Sequence, residues 1–144
     1  RLGIAVYAKQ VKQSEKITPV AGDLAAKGVD AFYMPLDAYY TLRNYEAIRE
    51  LRALAYQRKL PVIGSVIGGP AHSRGAILYI ASDFKTVGEL TGKQVLKILK
   101  NDIKPESIPI ALQEKPGIFI DQRELKAQGL SLTPQILEIA RPLP

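Results

Sequence analysis

Short apolar runs alternate with stretches of helical periodicity along the first two thirds of the chain, and this alternation constrains the fold most strongly. The runs typical of strands lie at residues 3–8, 30–34, 60–64 and 76–81. Apolar residues at helical spacing predict helices near residues 20–27, 42–58 and 84–100. Strands that alternate with helices of this length pair in parallel through right-handed crossovers. The sequence therefore predicts an α/β fold with a parallel sheet and flanking helices.

The alternation weakens after the third helix. Residues 108–112 and 117–120 are short strand candidates, and residues 121–128 predict a helix that Gly129 ends. Thr133 is the predicted N-cap of a last short helix. With 144 residues and 47% hydrophobic composition, the chain can bury one core, so we expect a single compact domain.

The basic residues are dispersed, although the formal net charge is +6. They lie on predicted helix faces, as at Lys93, Lys97 and Lys100, and form no stripe interleaved with aromatic residues. This distribution favours a solvated surface. We therefore expect no nucleic-acid partner.

Few side chains are suited to catalysis. His72 is the single histidine and cysteine is absent, which excludes histidine clusters, cysteine metal sites and thiolate nucleophiles. Ser73 lies in Ala-His-Ser-Arg-Gly, which resembles a nucleophile elbow, but an elbow needs a strand before it and a helix after it. Here a glycine-rich stretch precedes the motif and a predicted strand follows, so a surface turn is favoured. We expect no enzyme activity, no metal and no cofactor.

Two carboxylates directly follow predicted strands. Ligands of open α/β sheets bind beyond the carboxyl ends of the strands, which directs attention to Asp37 and Asp83. The helix after Asp37 begins several residues later, so ligand contact is favoured over capping. Asp83 immediately precedes a helix and either caps it alone or also faces the ligand. Tyr39 and Tyr40 either wall a small-molecule pocket or pack on the helix that follows.

An ordered set of short motifs covers residues 28–140. The motifs are Gly-Val-Asp-Ala-Phe-Tyr-Met-Pro-Leu-Asp at 28–37, Leu-Pro-Val-Ile-Gly-Ser at 60–65, Gly-Ala-Ile-Leu at 75–78, Ser-Asp-Phe at 82–84, Gly-Ile-Phe-Ile-Asp-Gln-Arg-Glu-Leu-Lys-Ala-Gln-Gly-Leu at 117–130 and Thr-Pro-Gln-Ile-Leu at 133–137. The set resembles the ABC transporter substrate-binding proteins that include tryptophan- and tyrosine-type members. Each motif alone has little specificity, and their order gives the resemblance.

The resemblance implies a type I periplasmic-binding-protein fold, in which two Rossmann-like lobes close on a ligand. The chain would be the C-terminal lobe, with residues 82–112 crossing to an N-terminal lobe. The sequence starts at Arg1, without an initiator methionine or a signal-peptide pattern, so we expect it to be part of a longer protein.

Carried over position by position, the resemblance also implies a ligand site. Asp37 would meet a ligand's amino group. Ala38 stands where many relatives have asparagine, which removes a hydrogen-bonding side chain, and Phe84 replaces a tyrosine. The expected ligand-binding residues are Asp37, Ala38, Tyr39, Ser65, Asp83 and Phe84.

The implied function is that of a periplasmic or extracytoplasmic solute-binding component of an ABC importer. It would bind an amino-acid-like solute, aromatic ones included, and dock on a membrane permease. A ligand-sensing domain of a regulator or receptor with the same fold is the alternative. The helix at residues 84–100, shaped for an N-terminal lobe, would expose an apolar face in this chain and invite a homodimer.

Overall fold

The computed structural model describes residues 3–65, 67 and 74–143, and the expected turn at His72 and Ser73 lies outside these ranges. The described helices are α1 (Ile17–Ala26), α2 (Leu42–Arg58), α3 (Phe84–Asn101), α4 (Gln122–Ala127) and α5 (Pro134–Ile139). The strands are β1 (Phe32–Met34), β2 (Val62–Gly64), β3 (Leu78–Ala81), β4 (Gly117–Ile120) and β5 (Arg141–Pro142). Short 3₁₀ turns occupy Ala38–Thr41 and Pro105–Ser107.

The strands form one sheet in the order β1-β2-β3-β4-β5. The first three strands are parallel, as predicted, with Phe32 opposite Val62 and Ile63 opposite Leu78. β5 is parallel to β4. The predicted α/β fold with flanking helices is therefore confirmed.

The sheet is mostly parallel, with one exception, since β4 runs antiparallel to β3. Ala81, at the end of β3, lies opposite Gly117, at the start of β4. The intervening chain leaves the sheet where β3 ends and re-enters it at the same end of the strands, so β4 must run in the direction opposite to β3. A parallel strand would have required a crossover to the other edge.

One face of the sheet packs against α1 and α2. The buried positions of α2 are Ala47, Leu51, Leu54 and Ala55, spaced at the helical period that predicted this helix. They meet β-strand side chains that include the fully buried Val62 and Tyr79. On the opposite face, α4 and α5 cover a smaller cluster around Ile77, Leu78 and Ile120.

Local signals account for some of the helix ends. Gly28 follows α1 with φ +76°, the left-handed conformation that glycine adopts without a steric penalty. Asp121 caps α4, because its Oδ1 accepts hydrogen bonds from the main-chain nitrogens of Arg123 at 3.0 Å and Glu124 at 3.2 Å. Thr133 occupies the predicted N-cap of α5, but its side chain makes no capping hydrogen bond.

The strand predicted at residues 3–8 is not formed. This segment contacts α1, where Lys9 Nζ donates to Asp23 Oδ2 at 2.5 Å and Lys27 lies over the Tyr7 ring. Ile4 and Val6 are 74% and 84% exposed. An apolar run becomes a buried strand only where partners flank it, and here none does.

Residues 84–112 stand apart from the core. None of the 18 residues of α3 is buried, and α3 packs closely on no other helix or strand of the described ranges. The strand predicted at residues 108–112 is also absent, because this stretch folds back along α3, where Gln94 Nε2 donates to the Pro109 oxygen at 2.9 Å. No helix in the described part of the chain has both the length and the hydrophobicity to cross a membrane.

Candidate functional site

The carboxyl ends of β1, β2 and β3 meet at one edge of the sheet because these neighbouring strands are parallel. Asp37 follows β1, Ser65 follows β2 and Asp83 follows β3. The structure thus brings three of the predicted ligand-binding residues to a common edge. Ala38 and Phe84 lie beside the two carboxylates, and both are exposed.

Ser65 joins the ends of the first two strands. Its Oγ donates to the main-chain oxygen of Met34 at 3.0 Å, and its main-chain nitrogen donates to the same oxygen at 3.1 Å. The hydroxyl proton is thereby committed to Met34, and no group in the described part of the chain donates a hydrogen bond to Oγ. Ser65 can therefore accept a hydrogen bond from a ligand.

Asp37 caps the 3₁₀ turn at Ala38–Thr41, since its Oδ1 accepts from the main-chain nitrogen of Tyr39 at 2.8 Å. Capping was the less favoured interpretation of this residue, because the periodicity of α2 does not reveal the short turn before it. The carboxylate is exposed, and within the described residues Oδ2 accepts no hydrogen bond and faces no cation. One oxygen fixes the orientation of the group and the other is available.

Tyr39 and Tyr40 pack on the core and on each other. Their rings meet edge to face with centroids 5.6 Å apart. The Tyr39 hydroxyl donates to the Glu15 oxygen at 2.8 Å, which fixes that ring, and burial raises its pKa. Burial, followed by the negative charge of Asp37, raises the pKa of Tyr40 to about 12. Both hydroxyls remain protonated at neutral pH. The two rings form an apolar surface next to Asp37.

Asp83 is more heavily engaged than Asp37. Its Oδ1 accepts from the main-chain nitrogen of Lys85 at 3.1 Å, and its Oδ2 accepts from Thr86 Oγ1 at 3.2 Å. Asp83 is therefore the N-cap of α3, one of the two roles anticipated for it. The Asp83 carboxylate also faces Arg141, whose Nη1 lies 3.8 Å from Oδ2.

Two residues of this edge were not predicted. Gln113 Oε1 accepts from the main-chain nitrogen of Asp83 at 3.1 Å, and Gln113 Nε2 donates to the Lys115 oxygen at 2.7 Å. Arg141 reaches Asp83 from β5. Neither Gln113 nor Arg141 directly follows the carboxyl end of a strand. The rule that ligands bind beyond the carboxyl ends of strands therefore does not identify them. Their placement depends on the antiparallel return of β4.

The described edge is an open wall and not a closed cavity. A pocket of about 10 Å³ lies beside Tyr39, far below the ~300 Å³ typical of ligand sites. A groove of about 470 Å³ lies elsewhere, between α3 and residues 109–111. No group of three or more histidine or carboxylate side chains suited to a metal comes together within residues 3–65, 67 and 74–143.

The mostly parallel sheet with helices on both faces matches the periplasmic-binding-protein fold of solved structures. The chain belongs to the ABC transporter substrate binding protein family, whose sequence model matches residues 1–142. This confirms the resemblance carried by the ordered motifs. No curated protein sequence matches the chain.

Solved structures agree with this fold. A ligand-free, open substrate-binding protein with adhesive properties from Clostridium difficile is 24% identical, with TM-score 0.73, over 99% of this chain and 45% of that one. A conserved domain protein from Vibrio cholerae is 22% identical, with TM-score 0.61, over 89% and 42%. An ABC domain from Streptococcus pneumonia in complex with L-Trp is 19% identical, with TM-score 0.64, over 88% and 41%. The chain spans less than half the length of each.

Proposed function

We propose that the chain supplies one wall of the ligand cleft in an extracytoplasmic solute-binding protein that serves an ABC importer. The observation that carries the proposal is the common edge at which Asp37 and Ser65 follow neighbouring parallel strands, in a chain of the substrate-binding family. The ligand is a small amino-acid-like solute. The L-Trp held by the Streptococcus pneumonia relative supports including aromatic amino acids.

Asp37 receives the ligand's ammonium group. Its Oδ1 is held by the Tyr39 nitrogen at 2.8 Å, while Oδ2 is exposed and lacks a donor among the described residues. A carboxylate oriented in this way gains a charge-assisted hydrogen bond at little further cost in side-chain entropy. Ser65 Oγ, which already donates to Met34, is suited to accept a second N–H from the same ammonium group.

The cleft is completed by a first lobe. The chain covers only 45% of the Clostridium difficile structure, so more than half of that relative has no counterpart in it. The apolar residues of α3 include Leu99, which is 77% exposed, and Ile110 of the returning stretch is 88% exposed. An exposed apolar face of this kind marks an interaction surface. Residues 82–112 therefore cross to the first lobe and pack on it.

Binding proceeds by closure of the two lobes on the ligand, and the closed form docks on the membrane permease. The ligand leaves chemically unchanged, as membership of a substrate-binding family supports. Because one wall alone excludes little water, the isolated chain binds ligand weakly.

A ligand screen tests this proposal. The two-lobed protein, with this chain joined to its first lobe, is screened by thermal shift against the standard L-amino acids, and any bound compound is recovered for mass spectrometry. We expect a small set of amino acids to raise Tm, with smaller shifts for the isolated chain, and recovery of intact ligand. Absence of binding by every amino acid, or recovery of a chemically altered compound, would contradict the proposal.

A further inference from the structure

Arg141 carries a guanidinium that lies beside Asp83 of the candidate site and donates no hydrogen bond to any residue that the structure describes. Its Nη1 is 3.8 Å from Asp83 Oδ2, which is an ion-pair distance too long for a hydrogen bond. Within the described residues its guanidinium donates no hydrogen bond, and the side chain is largely exposed. An arginine has five N–H donors, so this group retains the capacity to bind an anion.

The Arg141 guanidinium nevertheless rests against an aromatic ring. Its Cζ lies 5.0 Å from the centre of the Phe119 ring, a cation–π contact that holds the guanidinium. Gly117 leaves room for this arrangement, because a Cβ there would come within 2.7 Å of Phe119 Cζ and 3.4 Å of Arg141 Nη2. An arginine held by stacking loses little entropy when its planar fork meets a carboxylate.

The charges along the edge are segregated. At one end, Asp37 has a free carboxylate oxygen and no cation against it within the described residues. Near β3, both oxygens of Asp83 already accept hydrogen bonds from Lys85 and Thr86, and Arg141 offsets its charge. The ammonium group of a ligand is therefore favoured at Asp37, whereas the N–H donors that Arg141 does not use among the described residues suit a negative group.

We infer that Arg141 is a specificity-determining residue of the proposed cleft and binds a carboxylate of the ligand. The inference rests on the proposed function, because it concerns the same cleft. Arg141 shifts from its long contact with Asp83 to a bidentate pair with the ligand. A ligand that lacks the carboxylate leaves the guanidinium unpaired when the cleft closes, and it binds more weakly for that reason.

A purely structural role for Arg141 makes a different prediction. If the residue only fastens β5 to the start of α3 through Asp83, its loss lowers stability and weakens all ligands equally. If it binds the carboxylate, its loss weakens only ligands that carry one. The two roles are therefore distinguished by whether the loss of affinity caused by the substitution depends on the ligand's carboxylate.

The experiment measures affinities by calorimetry in the two-lobed protein. The L-amino acid that binds most tightly and its carboxamide are titrated into the wild-type protein, Arg141→Ala and Arg141→Lys. Arg123→Ala is the matched control, because Arg123 Nε lies at a similar 3.9 Å from Asp121 Oδ1 and is exposed on α4. Tm without ligand is recorded for every variant.

We expect amidation to weaken wild-type binding about 10- to 100-fold, as for loss of a charge-assisted pair. In Arg141→Ala the acid and the amide should bind alike, Arg141→Lys should restore part of the discrimination, and Arg123→Ala should retain all of it. Equal discrimination in Arg141→Ala and the wild-type protein would overturn the inference while leaving the proposed function intact. Failure of the wild-type protein to bind any amino acid would overturn both.

Discussion

Arg52 and Glu124 form a two-point ion pair that fastens α2 to α4. Arg52 Nε donates to Glu124 Oε2 at 2.9 Å, and Nη2 donates to Oε1 at 2.5 Å. The Tyr56 hydroxyl adds a third hydrogen bond to Oε2 at 2.9 Å. Because Ile120 lies opposite Leu78, at the start of β3, this cluster lies at the sheet edge opposite the candidate site. Its role is structural.

Glu124→Gln should lower the free energy of unfolding by about 1–3 kcal/mol. The Glu124 side chain is 9% exposed, while the Arg52 side chain is 37% exposed, so the loss falls below that of a fully buried pair. Urea denaturation measures the change. Glu138→Gln on the exposed face of α5 is the control and should change stability by less than about 0.5 kcal/mol. Equal midpoints for both variants would show that the pair contributes nothing.

Alkaline pH should destabilise the fold partly through Tyr40. Its pKa is about 12 in the folded chain, compared with a reference value of 10.0. Burial is the main cause of this increase, and the negative charge of Asp37 is the second. The unfolded chain therefore releases this proton first, so the stability from Tyr40 is complete below pH 10 and falls between pH 10 and 12. Tyr40→Phe should flatten the decline measured by denaturation at a series of pH values. An unchanged slope would contradict the assignment.

Gly117 and Gly92 should respond in opposite directions to alanine. At Gly117 in β4, a Cβ would overlap the Phe119 ring, so Gly117→Ala should destabilise the fold by about 1–3 kcal/mol through overpacking. At Gly92 in α3, a Cβ meets nothing within 4 Å, and Gly92→Ala should stabilise the helix by up to about 1 kcal/mol. Thermal melts of both variants test this pair. A stabilised Gly117→Ala protein would contradict the packing described around Phe119.

The isolated chain should self-associate through α3. Leu96 and Leu99 are exposed on this helix, and no first lobe covers them in the isolated chain. A Leu96→Lys/Leu99→Lys double variant should shift the chain toward monomer in light scattering coupled to size-exclusion chromatography. Ile139→Lys, at an exposed apolar residue of α5, is the control and should behave as the wild-type chain does. A wild-type chain that stays monomeric at high concentration would contradict the expectation.

The sequence predicts the helices well because their signals are local. The predicted bounds of α2, residues 42–58, match the assigned Leu42–Arg58, although residues 43–45 have left-handed backbone angles, and the end of α3 differs by one residue. Strand pairing is set by distant segments, and there the prediction holds only for β1, β2 and β3. Residues 3–8 have the composition of a buried strand but lie unpaired, and nothing local reveals that β4 runs backwards.

The residues of the candidate site likewise include some that the sequence predicts and some that it does not. Asp37, Ser65 and Asp83 follow parallel strands, so their common edge could be predicted from the order of strands and helices. The contact of Arg141 with Asp83 joins residues that are distant in sequence, through the antiparallel pairing of β4 and its neighbour β5. It could not be predicted without the sheet order.

The most direct test of the proposed cleft is the effect of Asp37→Asn on ligand affinity in the two-lobed protein. The substitution keeps the shape of the side chain and an oxygen that can cap the turn after β1, but it removes the charge that pairs with an ammonium group. Calorimetry with the best-binding amino acid should give a Kd at least about tenfold higher than for the wild-type protein, with Tm of the unliganded protein nearly unchanged. An unaltered Kd would contradict the assignment of Asp37 as the ammonium-binding group of the cleft.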